Sequence, residues 1–153
     1  MLFRSRYPPA LRQRVLDTLQ PTHLVDADGR HALDGRPTDD GDALVMATSG
    51  STGSPKGVVL THEAVRASAL ATAARLGTTD TDTWLACLPL SHVGGLSVIT
   101  RALHTGANLV VHDGFDANEV EAAARNGATA VALVSTAMAR IEDRKSTRLN
   151  SSH

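Results

Sequence analysis

Hydrophobic residues follow two patterns along the chain, one helical and one extended. Residues 7–20 carry leucine and valine at helical intervals after Pro8-Pro9, which predicts a first helix. Residues 43–48 form a nearly continuous apolar run, which is typical of a strand buried on both faces. Residues 84–90 have the same character and predict another buried strand.

The chain after residue 43 predicts a succession of strands and helices. Further apolar runs predict strands at residues 107–112 and 129–134. The predicted helices span residues 62–76, 93–104 and 115–126, and another begins within residues 135–141. Strands that alternate with helices build parallel sheets with helices on their faces. We therefore predict an α/β fold, with a partly parallel sheet flanked by helices.

Capping residues stand where the predicted helices begin and end. Thr61 can cap the helix that starts at residue 62, and Gly77 can end it. Gly106 follows the next helix, and Asp116 with Glu119 forms a capping box. These local signals support the predicted boundaries.

The two ends of the chain differ from the alanine-rich sequence between them. Residues 143–153, DRKSTRLNSSH, can be back-translated into a widely used sequencing-library adapter. Residues 1–5, MLFRS, can be back-translated into the reverse complement of the same oligonucleotide, with GTG read as the start codon. One oligonucleotide thus accounts for both ends, so we predict that they are adapter-derived and that the domain lies in residues 6–142. The alternative is a native basic tail.

Leaving these ends out changes the charge pattern. The whole chain has 15 basic and 16 acidic residues, whereas residues 6–142 have 11 basic and 15 acidic ones. Lys56 is then the one lysine, and it lies in a glycine-rich segment.

Composition excludes several classes of function. The net charge is −1 and aromatic residues make up 3% of the chain, so neither a basic stripe nor a base-stacking surface predicts nucleic-acid binding. We see neither a membrane-span-length apolar run nor a signal peptide. Cys87 is the single cysteine, which excludes an intrachain disulfide and favours a cytoplasmic location.

The segment TSGSTGSPKG, residues 48–57, is the most specific candidate for a ligand-binding loop in this sequence. Its glycines allow backbone N–H groups to converge on one point, and its hydroxyls and Lys56 add donors and a positive charge. Such a loop suits an oxyanion, phosphate above all. Because it directly follows a strand predicted to be buried, we expect it at the ligand-binding edge of an open α/β sheet.

Two other interpretations of this segment are weaker. A Walker A loop has glycine before its lysine and Ser or Thr after it, whereas Pro55 and Gly57 flank Lys56 here. A flexible Gly/Ser linker would not lie between two apolar runs. A phosphate-binding loop of another kind is therefore favoured.

TSGSTGSPKGV resembles the signature phosphate loop of the adenylate-forming enzymes. A second stretch, LPLSHVGGLSV at residues 88–98, resembles the acid-pocket motif L-P-x-x-H-x-x-G of that family, most of all in the o-succinylbenzoate–CoA ligases of menaquinone biosynthesis. The resemblance covers most of residues 21–141. It implies part of the large N-terminal domain of such an enzyme.

The resemblance also implies roles for individual residues. The residues that would wrap the β- and γ-phosphates of ATP are Thr48, Ser49, Gly50, Ser51, Thr52, Gly53 and Lys56. His92 would stand at the acid pocket as a gate or electrostatic partner and is the candidate catalytic residue. The substrate-binding residues would be His92, Gly94, Gly95 and Ser97.

The implied reaction joins a small carboxylate, ATP and coenzyme A, with Mg²⁺ bridging phosphate oxygens. The family's adenine-binding, magnesium-binding and C-terminal lysine regions have no counterpart in this chain. We therefore expect the chain alone to be inactive. Another acyl- or aryl-CoA ligase, or a nucleotide-binding fragment without activity, stays as the alternative, and the oligomeric state is undetermined.

Several other conspicuous residues have simpler explanations. Trp84 and Cys87 lie in a predicted buried strand and are expected in the core. The pair Asp39-Asp40 lies in a polar loop and predicts no metal site. Arg101 is a weaker candidate for the pocket, because the helix after His92 could place it on the surface.

Overall fold

The computed structural model describes residues 8–49 and 55–150. In chain order the elements are α1 (Pro9–Leu19), β1 (His23–Asp26), β2 (Gly29–Ala32), β3 (Asp42–Ser49), β4 (Pro55–Thr61), α2 (His62–Leu76), β5 (Thr83–Ala86), α3 (Val93–Thr105), β6 (Asn108–Val111), α4 (Ala117–Arg125), β7 (Ala130–Val131) and α5 (Ser135–Asn150). The strands form the antiparallel pairs β1-β2 and β3-β4 and one parallel sheet with the order β6-β5-β7.

β5 is the middle strand of the parallel sheet, and one of its faces is covered by α3. Successive side chains of a strand point to opposite faces. Trp84 and Ala86 therefore share a face, and they pack with Val98 and Ile99 of α3 in one buried cluster. Trp84 is only 2% exposed, which confirms its predicted core position.

The opposite face of β5 is covered by α4, with the start of α5 beside it. Leu85 and Cys87 point to this side and form a second buried cluster with Val120 of α4. Phe115 and Ile141 pack against that cluster. The parallel sheet thus lies between helices on both faces, and the predicted α/β architecture is confirmed.

β3 and β4 do not join this sheet. They pair with each other as an antiparallel hairpin, with Val45 opposite Val59 and Met46 opposite Val58. The link between them, residues 50–54, is far shorter than the dozen or so residues that a parallel crossover needs. The glycine-rich segment therefore connects two antiparallel strands, and the expectation that it lies at the edge of an open parallel sheet is wrong.

Several predicted strands are shorter or less buried than the sequence suggested. β5 ends at Ala86, before Pro89, and β7 comprises two residues. Residues 43–47 are half-buried rather than buried on both faces. A two-stranded hairpin lacks the neighbours that bury a strand inside a larger sheet.

The predicted caps Thr61, Gly77 and Asp116 are confirmed. Thr61 Oγ1 accepts a hydrogen bond from the Ala64 N–H at 3.1 Å, and Gly77 ends α2 with a φ of 68°. Asp116 Oδ1 accepts from the N–H groups of Asn118 and Glu119 at the start of α4. These caps are local features, so sequence alone places them well.

α5 begins at Ser135, within the segment predicted to start a helix, and continues to Asn150. It crosses residue 143, where the sequence analysis places the start of adapter-derived residues. A helix over these residues does not test whether they are encoded by an adapter, so their adapter origin stays a prediction. Within the described part of the chain, none of the helices combines the length and apolar character needed to cross a membrane.

Candidate functional site

The hairpin of β3 and β4 brings together the two described ends of the glycine-rich segment. Thr48 lies directly opposite Lys56, and Ser49 lies opposite Pro55. The Thr48 hydroxyl donates to the Lys56 carbonyl oxygen at 3.4 Å, a long hydrogen bond. Both residues are exposed. Gly50, Ser51, Thr52 and Gly53, which the sequence assigns to phosphate binding, lie outside the described residues.

α1 packs against one face of the hairpin. A Cβ added to Gly57 would lie 2.9 Å from Leu19 Cδ2 and 3.1 Å from Val45 Cγ1, so α1 packs closely on that face. Side chains alternate along a strand, and directly opposed residues share a face. Thr48 and Lys56 therefore project from the face opposite α1.

The second group of predicted residues lies where α3 begins. His92 is the N-cap residue, with φ −114° and ψ 146°, and its carbonyl oxygen accepts from the Leu96 N–H at 3.0 Å. The His92 N–H in turn donates to the Pro89 carbonyl oxygen at 3.1 Å. This places His92, an exposed residue, at the turn that follows the carboxyl end of β5.

Backbone packing fixes the first turn of α3 against that same connection. Gly95 is buried, and a Cβ at this position would collide with the Pro89 carbonyl oxygen and lie 2.6 Å from the Leu88 carbonyl oxygen. Ser97 Oγ donates to the Gly94 carbonyl oxygen at 3.2 Å. His92, Gly94, Gly95 and Ser97 are thus held together by one short stretch of chain.

The two groups lie on separate elements, the hairpin and the start of α3. α2 packs against both strands of the hairpin and against α3. Ala69 and Ala73 are the buried residues of α2, and their small size permits close approach of the helix to its neighbours. α2 therefore contacts both of the elements that carry the two groups.

Arg101 differs from the surface position that the sequence allowed. It is 8% exposed, and its guanidinium carbon lies 4.5 Å from the centre of the Trp84 ring. Its Nε is buried with no hydrogen-bond partner among the described residues, and burial lowers the pKa of this guanidinium. Arg101 follows Val98 by three positions, and this spacing on the apolar stripe of α3 was the signal for burial.

Other parts of the described chain show no obvious ligand site. Among the residues that the structure describes, no group of three or more His, Cys, Asp or Glu side chains could hold a metal ion. A cavity of about 320 Å³ lies beside the start of α4 and is lined by Phe115, Asp116, Ala117, Arg140 and Asp143. None of the predicted site residues lines it.

Comparison with known proteins finds both a matching family profile and related enzymes. The family profile described as AMP-binding enzyme matches residues 8–153. A 2-succinylbenzoate–CoA ligase of Bacillus mycoides is 39% identical over 101 residues, which cover 65% of this chain and 21% of the relative. The chain therefore spans about a fifth of the length of the curated relatives it matches.

Solved structures show the same relationship. The o-succinylbenzoate CoA synthetase of Bacillus subtilis, bound to its product analogue, superposes with a TM-score of 0.65 at 31% identity, covering 77% of this chain and 25% of that one. The same synthetase with ATP and magnesium ion gives 0.61 at 33% identity, covering 72% and 25%. ATP-bound MatB from Rhodopseudomonas palustris gives 0.60 at 27% identity, covering 78% and 26%. The chain belongs to the AMP-binding enzyme family, and its relatives include 2-succinylbenzoate–CoA ligases.

Proposed function

We propose that this chain is the part of an AMP-forming acid–CoA ligase that holds the triphosphate of ATP and lines the pocket for the acid. The observation that carries the proposal is the opposed pair Thr48 and Lys56 at the end of the hairpin where residues 50–54 link its strands. This pair frames the glycine-rich segment on the face that α1 leaves free. The Bacillus subtilis relative, 33% identical, was solved with ATP and magnesium ion, which supports a triphosphate as the ligand.

The proposed reaction has two steps. A carboxylate oxygen attacks the α-phosphorus of ATP, and pyrophosphate leaves to give an acyl-adenylate. The thiol of coenzyme A then attacks the acyl carbon, and AMP leaves to give a thioester. Negative charge grows on the departing pyrophosphate in the first step, so donors already aimed at that position lower the barrier.

The roles of this chain's residues follow from that charge movement. Lys56 supplies a positive charge, and the hydroxyls of Thr48, Ser49, Ser51 and Thr52 supply donors. Gly50 and Gly53 allow the backbone N–H groups to approach the β- and γ-phosphates. Mg²⁺, when bound, would bridge phosphate oxygens and neutralise part of their charge.

The acid would lie beside the start of α3. His92 would face the carboxylate as a gate or electrostatic partner, and Gly94, Gly95 and Ser97 would shape the floor of the pocket. We propose 2-succinylbenzoate as the acid, and hence a role in menaquinone biosynthesis, because Bacillus relatives that are 38% and 39% identical to the chain are 2-succinylbenzoate–CoA ligases. Another acyl or aryl acid is the competing substrate.

We further propose that residues 6–142 are the ligase-derived part and that the 153-residue chain alone releases no AMP from ATP, 2-succinylbenzoate and coenzyme A. A single cysteine supports a cytoplasmic location for it. AMP release clearly above a blank without protein would show that the chain catalyses by itself.

A chimeric enzyme tests the proposed function. Residues 21–141 replace the matching segment of the Bacillus subtilis synthetase, and thioester formation is measured with 2-succinylbenzoate and with unrelated acids. We expect thioester with 2-succinylbenzoate, loss of it in the Lys56→Ala chimera, and retention in an Arg75→Ala control. A folded, ATP-binding chimera that forms no thioester with any acid would exclude the ligase function. Activity with other acids alone would exclude the proposed substrate.

A further inference from the structure

The hairpin of β1 and β2 carries one histidine on each of its faces. Its two strands are antiparallel, and no other described helix or strand packs extensively against them. Side chains alternate along a strand, and directly opposed residues share a face. The register therefore places His23 and Arg30 on one face of the hairpin and Asp26 and His31 on the other.

The partners of His23 determine which ring nitrogen carries its proton. Arg30 Nη2 lies 3.0 Å from His23 Nε2, and because a guanidinium can only donate, Nε2 must accept. The proton of the neutral ring then lies on Nδ1, which donates it to the Thr22 hydroxyl oxygen at 3.0 Å. A ring with protons on both nitrogens has no acceptor left. The contact with Arg30 therefore exists only while His23 is neutral.

His31 has the opposite kind of partner on the other face. Its Nε2 lies 3.0 Å from Asp26 Oδ1, and because an ionised carboxylate can only accept, Nε2 carries the proton. This hydrogen bond is the largest of the effects that lower the pKa of Asp26 below 3.8, so the carboxylate stays ionised at about pH 5. A second proton on His31 adds an attraction between opposite charges. Acidification therefore strengthens this contact.

The two contacts lie at opposite ends of the hairpin. Asp26 belongs to the pair next to the turn, where its Oδ1 also accepts from the Asp28 N–H at 3.0 Å. His23 belongs to the pair at the other end, beside which the Leu33 N–H donates to the Thr22 carbonyl oxygen at 2.8 Å. This second end joins the hairpin to α1 and, through residues 33–41, to β3.

We propose that the β1-β2 hairpin is a pH-sensitive element, in which a proton on His23 Nε2 breaks the contact with Arg30 and loosens the end that joins the rest of the chain. Two positive charges then lie side by side on one face and repel each other. The turn end keeps its contact between Asp26 and His31. The charged or titratable groups of the hairpin are these four and Asp28, and histidine is the type that ordinarily changes charge between about pH 8 and pH 5.

Nitrogen–proton correlation spectra of the imidazole rings in the 153-residue chain test the first step. At about pH 8 we expect the proton of His23 on Nδ1 and that of His31 on Nε2. Arg30→Ala should remove the preference of His23 for Nδ1 and leave His31 unchanged. A proton on Nε2 of His23 in the unchanged chain would overturn the proposal.

Hydrogen exchange of the Leu33 amide tests the second step. Its protection relative to an unstructured peptide is measured at about pH 8 and pH 5, and acidification should lower it by about two- to fivefold, as expected for the loss of one exposed polar contact. His23→Gln is the matched variant, because its amide oxygen can accept from Arg30 but takes up no proton in this range, so its protection should not depend on pH. Arg12→Ala, an exposed change on α1, should retain the full decrease.

Three results would contradict a pH-sensitive hairpin of this kind. Equal protection of Leu33 at the two pH values in the unchanged chain would mean that the contact with Arg30 does not hold this end together. A decrease of the same size in His23→Gln would assign the pH effect to another group. An equal decrease for the Asp28 amide would show that the turn end opens as well, against the retained contact between Asp26 and His31.

Discussion

Leu85 offers the sharpest test of the core around β5. The residue lies on the central strand between β6 and β7, its side chain is 1% exposed, and it belongs to the buried cluster with Cys87 and Val120. Leu85→Ala removes three carbons from a site enclosed by the sheet and by α4. Both the lost burial and the cavity left behind destabilise the protein.

The expected loss is about 2–5 kcal/mol of unfolding free energy, the range for truncating a buried leucine. For a chain of this length each kcal/mol lowers the melting temperature by roughly 2–4 °C, so a decrease of about 4–20 °C follows. The assay is thermal and urea unfolding, followed by near-UV circular dichroism. Leu103→Ala is the matched control, because Leu103 is 75% exposed, and it should change the stability by less than about 0.5 kcal/mol.

Comparable melting temperatures for the two variants would refute this reasoning. Such a result would mean that Leu85 is not enclosed between the sheet and α4. An absence of cooperative unfolding in the unchanged chain would contradict the packed core in the same way.

Two further predictions concern a helix cap and a pH effect. Thr61→Ala removes the side-chain acceptor at the start of α2 and should lower the free energy of unfolding in urea by about 1 kcal/mol. Thr61→Ser keeps a hydroxyl acceptor and should retain most of that stability. Asp82 accepts hydrogen bonds from the Thr129 hydroxyl at 2.6 Å and from the Thr79 N–H at 2.7 Å, and these bonds lower its pKa below 3.8. Its contribution to stability is therefore complete above that value and is lost as the pH falls through the lower folded pKa. Asp82→Ala should consequently destabilise the protein at pH 7 and make less difference at pH 2, and a difference independent of pH would contradict the assignment.

Features set by neighbouring residues in the sequence could be predicted. Thr61, Gly77 and Asp116 cap helices because hydroxyl, glycine and carboxylate meet local requirements of a helix end. The division of β5 into two buried faces also follows from its apolar run. These features need no knowledge of which segments meet in space.

Other features were missed, either because a signal in the sequence was overlooked or because they depend on distant contacts. Val45 lies in a run that predicts a buried strand, yet the five-residue link between β3 and β4 makes it pair with Val59 in an antiparallel hairpin. The spacing of Arg101 from Val98 indicated burial, but its contact with the Trp84 ring is visible only in the structure. Likewise, the different surroundings of Gly94 and Gly95 appear only once the connection before α3 is in place.

Titration of the chain with ATP, tripolyphosphate and adenosine measures most directly whether the segment framed by Thr48 and Lys56 holds a triphosphate. Backbone amide signals of these two residues are followed in the unchanged chain, in Lys56→Ala and in Lys145→Ala, a change in the other lysine of the chain. We expect ATP and tripolyphosphate to shift the same signals, adenosine to leave them in place, and Lys56→Ala alone to abolish the response. Shifts caused by adenosine but not by tripolyphosphate, or a response that survives Lys56→Ala, would contradict a triphosphate-binding role for this hairpin.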